Sequence, residues 1–357
     1  MNETKFMKRA LQLAKLGAKD AAPNPMVGAV VVCDDVIIGE GYHEKCGEPH
    51  AEVNAINSVV DRSLLAKSTI YVTLEPCSHW GKTPPCADLI IDSGIKKVVI
   101  GTLDPFSKVS GRGVEKLKKA GVEVVIDILK EECLSLNAAF FTFHTKQRPY
   151  IILKWAQSSD GYMGGKLPSN MPLWFTNYAC RVLVHKQRAE ADAIMVGSST
   201  IISDDPELTT RAFVGANPIR VTIDRELKLD DEFKFFDEQS PSILFTSEAN
   251  FDNAKKVHSR TKIVALNEEV NVVAEVVKEL YNQGVQSLIV EGGAVLMNEF
   301  IESGIWDVAY VYECKETLAE VAGGDVVVDK IFAPIIVDNF NIDYINIETI
   351  SLKIMRK

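Results

Sequence analysis

The sequence predicts an α/β protein built as two domains in tandem, and three observations carry that prediction. A chain of 357 residues exceeds what one hydrophobic core organises, since single cores stop growing at roughly 250–300 residues. Short apolar runs alternate with stretches of helical period along most of the chain, which is the pattern of layered α/β folds. Between two such regions lies Thr145-Lys146-Gln147-Arg148-Pro149, a polar segment closed by a proline, where a boundary is expected. The domains are therefore expected at 1–146 and 147–357.

In the first region, Phe6, Met7, Ala10, Leu11, Leu13 and Ala14 recur at helical spacing and Gly17 ends the run. Val27 to Cys33 and Val36 to Gly41 flank Asp34-Asp35 as a hairpin. His50 to Ser58 follows Pro49 and suits a helix start. Ile70 to Leu74, Lys97 to Gly101 and Val122 to Ile126 pattern as strands, while 84–93, 113–120 and 134–144 pattern as helices. Strands alternating with helices predict a three-layer α/β/α sandwich around a mixed sheet. In the second region, Pro149 to Lys154 opens a strand. Ser287 to Val290 is another, followed by the turn Glu291-Gly292-Gly293 and helical spacing from Ala294 to Glu302. Residues 305–357 show strand-like patterning only.

Composition narrows the function classes. Hydrophobic content of 46% and charged content of 25% are ordinary for a globular chain. A formal charge of −10 argues against nucleic acid as a partner, because that affinity comes largely from Lys and Arg on phosphates. A small phosphorylated ligand needs only a local basic pocket. No apolar run approaches the ~20 residues of a membrane span, and Met1 to Lys8 lacks a signal-peptide core, so the expectation is a cytoplasmic protein with no membrane partner. Seven scattered cysteines make no disulfide framework and leave thiols free for metal. Cys33, Cys133, Cys180 and Cys314 are expected to be small buried hydrophobes.

The chemistry concentrates between residues 49 and 86. Pro49-His50-Ala51-Glu52 and, later, Pro76-Cys77 and Cys86 supply one imidazole and two thiolates, three ligands for Zn²⁺ with a fourth position left for water. Glu52, two residues past His50, can sit beside the metal and shuttle a proton. His-x-Glu followed by Pro-Cys and a second Cys is the known signature of zinc deaminases. The departure is spacing: the two cysteines lie nine positions apart, so 78–85 forms a loop over the site. His43 and Cys46 are rival ligands by proximity.

With Pro23-Asn24-Pro25 and Val27-Gly28 upstream, this long inter-cysteine stretch resembles the deaminase half of the bifunctional riboflavin-biosynthesis deaminase/reductase (RibD) family. The resemblance implies a cytidine-deaminase-like fold, one Zn²⁺ on His50, Cys77 and Cys86, and Glu52 as the catalytic proton carrier. It also implies hydrolytic loss of an exocyclic amine from a pyrimidine bearing a phosphoribosylamino group. Asn24, His79 and Lys82 would contact that substrate, although Lys82 could equally be a solvated loop charge. In the segment Asp104-Pro105-Phe106, Phe106 stands where the family commonly has an Asn. An aromatic ring cannot replace an amide's donor and acceptor.

From about 149 to about 304 the chain resembles the reductase half of the same family, through Ala156-Gln157-Ser158-Ser159-Asp160-Gly161, Trp174-Phe175-Thr176-Asn177, Arg188 to Ile194, Gly197-Ser198-Ser199-Thr200 and Asp204 to Arg211. No Gly-x-Gly-x-x-Gly follows a strand, so a Rossmann domain is not indicated; the Glu291-Gly292-Gly293 turn before a helix offers backbone N–H groups to a pyrophosphate instead. The resemblance implies a dihydrofolate-reductase-like domain using NADPH. Its cofactor contacts would be Ala156, Trp174, Thr200, Asp204, Arg225 and Gly293, Ala294, Val295, Leu296, Met297, Asn298 and Glu299. Arg225 would meet the 2′-phosphate unless it is only a surface residue. Substrate would meet Lys154, Arg188, Leu208, Arg211 and Glu291, the arginines binding its phosphate bidentately. Pro172 replaces a common Ser. The family is often a homodimer. Two rivals remain: only one half is active, or a zinc-stabilised RNA-binding protein uses a deaminase scaffold, which a basic surface would betray.

Overall fold

The structure, a computed structural model, describes residues 3–18, 20–78, 80, 84–105, 111–167, 173–267, 270–337 and 340–357. Two compact units divide the chain, 1–147 and 148–357.

In the first unit, β1 (Gly28–Cys33) and β2 (Val36–Tyr42) form the expected hairpin. Asp34 and Asp35 take φ of 49° and 61° at its turn, the left-handed conformation that Asp tolerates better than most residues and that two-residue hairpins demand. With β3 (Thr69–Leu74), β4 (Lys97–Thr102) and β5 (Glu123–Val125), the described strands run in the order β2-β1-β3-β4-β5; β1 is antiparallel to both neighbours and the other pairs are parallel. All of β1 is buried because successive side chains serve opposite faces. Val30 and Val32 pack with Phe6, Met7 and Ala10 of α1 (Glu3–Ala14). Ala29 and Val31 share a core with α2 (Ala51–Asn57), α3 (Cys86–Asp92) and α4 (Arg112–Lys119). Helices thus cover both faces of a mixed sheet. Cys33, Cys133, Cys180 and Cys314 are all buried.

The single helix expected over 134–144 is instead two, α5 (Lys130–Leu136) and α6 (Ala138–Lys146). The break falls at buried Asn137. Its side chain accepts from the Met26 N–H at 2.8 Å and donates to the Met26 carbonyl at 2.9 Å. That paired bond pins the segment carrying Asn24 and Pro25, a tertiary demand that helical periodicity does not register.

The second unit begins with β6 (Tyr150–Gln157) and β7 (Tyr162–Lys166). There follow α7 (Tyr178–Glu190), β8 (Ala193–Gly197), α8 (Ser198–Asp204), β9 (Ile219–Ile223), β10 (Ser242–Ser247), α9 (Phe251–Val257) and β11 (Lys262–Leu266). Next come α10 (Val272–Asn282), β12 (Ser287–Val290), α11 (Ala294–Glu302) and β13 (Val308–Cys314). The chain finishes with α12 (Leu318–Val321), β14 (Val328–Phe332), β15 (Asn341–Ile347) and β16 (Ile350–Arg356). The main sheet has the order β11-β10-β9-β8-β12-β6-β13-β16-β15, parallel up to β13 and antiparallel through the last two pairs. Its central strands are nearly continuous apolar runs, as burial on both faces requires. Because β8, β12 and β6 are adjacent and parallel, their carboxyl ends meet at one edge, where ligand sites of such sheets form.

Candidate active sites

His50 caps α2, Cys86 opens α3, and Cys77 lies in the loop that precedes it. The folding of two separate helix starts toward one point brings together residues spread over 50–86. His50 Nδ1 lies 3.6 Å from Cys77 Sγ and 3.3 Å from Cys86 Sγ, and all three donor atoms fall within 4.8 Å of one another. Zn–S bonds of ~2.3 Å and Zn–N bonds of ~2.0 Å at a tetrahedral angle separate N and S by about 3.6 Å, so this donor set fits zinc. The Cys86 N–H donates to Cys77 Sγ at 3.3 Å. Contact with Cys86, then His50, draws the Cys77 thiol down to about 4 against the opposing effect of burial, while the same contact and burial push Cys86 up. The pair thus favours the thiolate at Cys77 over Cys86, and a thiolate is the form in which cysteine would hold a metal.

Glu52, in the first turn of α2, is 3% exposed. Burial pushes its carboxyl up to about 7, with Cys77 adding to the push and His50 opposing it. A carboxyl poised there can both take and give a proton near neutrality. Glu52 and two of the candidate ligands, His50 and Cys77, line a cavity of about 300 Å³, together with Asn24, His43, Glu75, Asp104, Phe140 and His144.

His43 does not replace a ligand. Its Nδ1 faces the Pro49 carbonyl at 3.2 Å and its Nε2 lies 3.0 Å from Asn24 Nδ2. A carbonyl only accepts, so Nδ1 carries the proton and Nε2 accepts from the amide. Asn24 is thereby oriented in the cavity wall by His43. Cys46 is exposed and outside the cluster. His79, Lys82, Phe106 and Pro172 lie outside the described residues. Sequence reasoning missed Glu75, Phe140 and His144, and named Asp104 only as part of the segment Asp104-Pro105-Phe106; only the abnormal position of an acidic residue between an apolar strand and Pro76-Cys77 could have drawn attention to Glu75.

In the second unit, Glu291 leaves the end of β12 and meets Arg188 of α7 in a two-pronged pair, Nε to Oε1 and Nη2 to Oε2 both at 2.9 Å. Lys154 of β6 stands 3.7 Å from Glu291 Oε2. Burial would raise the Glu291 carboxyl, but the Arg188 and Lys154 charges outweigh it and hold it at about 2. Burial lowers Lys154. Arg188 also donates to the Thr209 carbonyl at 3.2 Å, beside buried Leu208, which takes φ 54°. The planar fork of Arg188 is therefore occupied by Glu291. The Arg211 side chain is 55% exposed, 3.2 Å from Glu207, and keeps a guanidinium edge open to solvent.

The glycine turn before α11 takes the expected form. The Gly293 N–H donates to Thr200 Oγ1 at 3.2 Å. Gly292 has φ 107°, and a Cβ there would approach the same hydroxyl to 2.9 Å, so glycine is needed on both counts. Ala294, Val295, Leu296, Met297, Asn298 and Glu299 follow in the helix, of which Met297 is buried and Val295 exposed. Ala156 sits on β6 opposite Tyr312. Trp174 is exposed and covered on one face by Arg181, 4.9 Å from its ring centre. Asp204 ends α8, its carboxylate accepting from Ser203. Arg225 lines a surface depression with Ser198, Asp224 and Lys228. Among the described residues, no hydrogen bond or ion pair joins Trp174, Asp204 or Arg225 to Lys154, Arg188 or Glu291.

Comparisons with known proteins agree for both units. Residues 1–102 match the cytidine and deoxycytidylate deaminase zinc-binding region, and residues 149–313 match the RibD C-terminal domain. Riboflavin biosynthesis protein RibD of Aquifex aeolicus is 43% identical over 88% of this chain and 87% of its own length. The Escherichia coli RibD is 34% identical over 91% and 90%. Among solved structures, a diaminohydroxyphosphoribosylaminopyrimidine deaminase/5-amino-6-(5-phosphoribosylamino)uracil reductase from Thermotoga maritima superposes with a TM-score of 0.83 at 37% identity, covering 99% of this chain and 98% of that one. Acinetobacter baumannii RibD gives 0.83 at 31% identity, covering 99% of each chain. With relatives at this identity matching nearly end to end, the chain belongs to the RibD family of riboflavin biosynthesis proteins.

Proposed function

We propose that this chain is a bifunctional enzyme of riboflavin biosynthesis: residues 1–146 remove an amine from a phosphoribosylamino-pyrimidine by zinc-dependent hydrolysis, and residues 147–357 reduce the ribosyl chain of the product with NADPH. The observation that carries the first half is the His50, Cys77 and Cys86 cluster, two of whose members, His50 and Cys77, line one cavity with the buried Glu52. Zinc, when held by these three side chains, supplies a water of lowered pKa and so a nucleophile at neutral pH. Glu52 takes that water's proton and delivers it to the departing amine, a role its raised carboxyl suits. Asn24, held by His43, hydrogen-bonds the substrate in the cavity, and His79 and Lys82 contact it from the inter-cysteine loop.

In the second half, NADPH supplies the hydride, and the protein's contribution is orientation. The turn at Gly293 and the first residues of α11 receive the pyrophosphate with Thr200, the buried Met297 serving the core instead, while Ala156, Trp174 and Asp204 hold the rest of the cofactor and Arg225 its 2′-phosphate. Arg211 binds the substrate phosphate. Arg188, its fork closed on Glu291, sets that carboxylate and Lys154 at the substrate's C1′ end, with Leu208 beside them. The partners are small phosphorylated pyrimidines and not nucleic acid, the location is cytoplasmic, and the assembly is a homodimer. Among the described residues no helix is long and apolar enough to cross a membrane.

The deciding experiment follows ammonia and NADPH absorbance together on the phosphoribosylamino-pyrimidine, with and without a zinc chelator. The expected outcome is loss of both signals on chelation, with NADPH consumption restored by deaminated substrate. Ammonia without NADPH loss would leave only the first half active, and the absence of both from untreated protein would overturn the substrate assignment.

A further inference from the structure

Glu75 is an acidic residue 4% exposed, placed between the end of β3 and the Pro76-Cys77 pair. Its carboxylate accepts backbone N–H groups from both flanks of residues 106–110. On one side Oε2 accepts from Asp104 at 3.3 Å; on the other it accepts from Gly111 at 3.0 Å, while Oε1 accepts from Gly113 at 2.9 Å and Val114 at 3.2 Å. The start of α4 is held so close that a Cβ on Gly113 would lie 2.1 Å from the Pro76 carbonyl oxygen. Asp104 and Glu75 both line the cavity that is also lined by Glu52, His50 and Cys77. One carboxylate therefore ties three things together: the loop of ligand Cys77, the cavity wall at Asp104, and the amino end of α4.

We propose that Glu75 is a positioning residue for deamination, setting substrate placement through Asp104 without taking part in metal binding. A carboxylate presents only acceptors, and backbone N–H groups present only donors. Glu75→Gln keeps the volume but turns one acceptor into an NH₂ group aimed at N–H donors. The Asp104 stem then moves, and misplacement of about 1 Å costs up to ~10²-fold in such sites.

The inference rests on the deaminase reading of this unit, so unaltered full-length protein is assayed beside the variants. In Glu75→Gln the deaminase KM is expected to rise between about tenfold and a hundredfold. Zinc content, measured by metal analysis, and NADPH consumption with deaminated substrate stay at the unaltered level. A double-mutant cycle with Asp104→Ala supplies the readout that a merely structural residue would not move. Because Glu75 acts through Asp104, the two changes together raise KM no more than the larger single change. Should Glu75→Gln fail to fold, Glu75→Asp, which keeps the charge and shortens its reach, carries the same cycle. An unchanged KM, zinc lost in step with activity, or fully multiplicative effects overturns the proposal. No ammonia from unaltered protein would instead overturn the deaminase reading itself.

Discussion

The two sites solve the problem of buried polar chemistry in opposite ways. In the first unit the candidate reactive groups come from 37 consecutive positions, 50–86, where a metal-ready cluster stands beside the Glu52 carboxyl, which is pushed up to about 7. In the second the groups come from Lys154, Arg188 and Glu291, far apart in sequence, and the carboxyl is held at about 2 by two cations. Burial is nearly the same for both carboxyls; the neighbours decide the sign. The Glu52 carboxyl is raised toward neutrality, and the Glu291 carboxyl is held in its charged form.

This contrast breaks most sharply at the His50, Cys77 and Cys86 cluster. His50→Ala or Cys86→Ala is expected to abolish zinc retention and ammonia release together, while the NADPH signal with deaminated substrate persists; metal analysis and the paired assay check both. Retained ammonia release would show that the cluster is not the reactive centre. Next in size, Glu52→Gln keeps zinc and lowers deamination by about 10²–10⁴, the range of positioned acid–base groups, read as kcat in the same assay. A drop in zinc content of the same proportion would argue for a ligand role instead.

Glu291→Gln tests the other unit. It leaves Arg188 and Lys154 buried without their counter-charge, expected to cost about 3–5 kcal/mol of that unit's stability and to stop reduction while ammonia release continues. Denaturant unfolding of the full chain, followed by probes in each unit, measures the cost.

The pH dependence then sharpens the comparison through its sign. Glu291 is depressed from an ordinary 4.5 to about 2, so its stabilisation is present above about 4.5 and lost as pH falls toward 2; the gap between wild type and Glu291→Gln narrows over that window. Glu52 is raised from 4.5 to about 7, so ionising it works against the fold as pH rises. In zinc-stripped protein, Glu52→Gln should therefore gain on wild type between pH 4.5 and 7. A wild-type advantage over Glu291→Gln that did not grow as pH rises would contradict the first assignment, and a wild type that did not lose to Glu52→Gln as pH rises would contradict the second. The smallest effect is Thr200→Val, which removes the acceptor for the Gly293 N–H; a loss of about 0.5–1.5 kcal/mol is expected to appear as a several-fold higher KM for NADPH with deamination untouched.

The legibility of the two sites follows the same division. His50, Glu52, Cys77 and Cys86 are readable in the sequence because metal chemistry restricts residue type and local helix starts set their aim. The strand and glycine turn from Ser287 to Gly293 are readable because apolar runs and left-handed turns leave a local trace. What local pattern cannot carry is a partner distant in the chain. The two-pronged closure of Arg188 on Glu291, which removes that arginine's fork from phosphate binding, joins residues 103 positions apart. Asn137 breaks an apparently continuous helix for the sake of Met26, 111 positions away.

By itself, then, the sequence carried most elements of the first unit, a division near residue 147, the His50, Cys77 and Cys86 cluster as candidate ligands and the class of chemistry, since each depends on residue type and short spacing. Only the tertiary structure decided which polar groups meet in the interior: His43 on Asn24, Glu75 on Asp104 and α4, Glu291 between two cations. A buried polar atom must find a partner wherever the fold supplies one, and nothing in the neighbouring residues says where that will be.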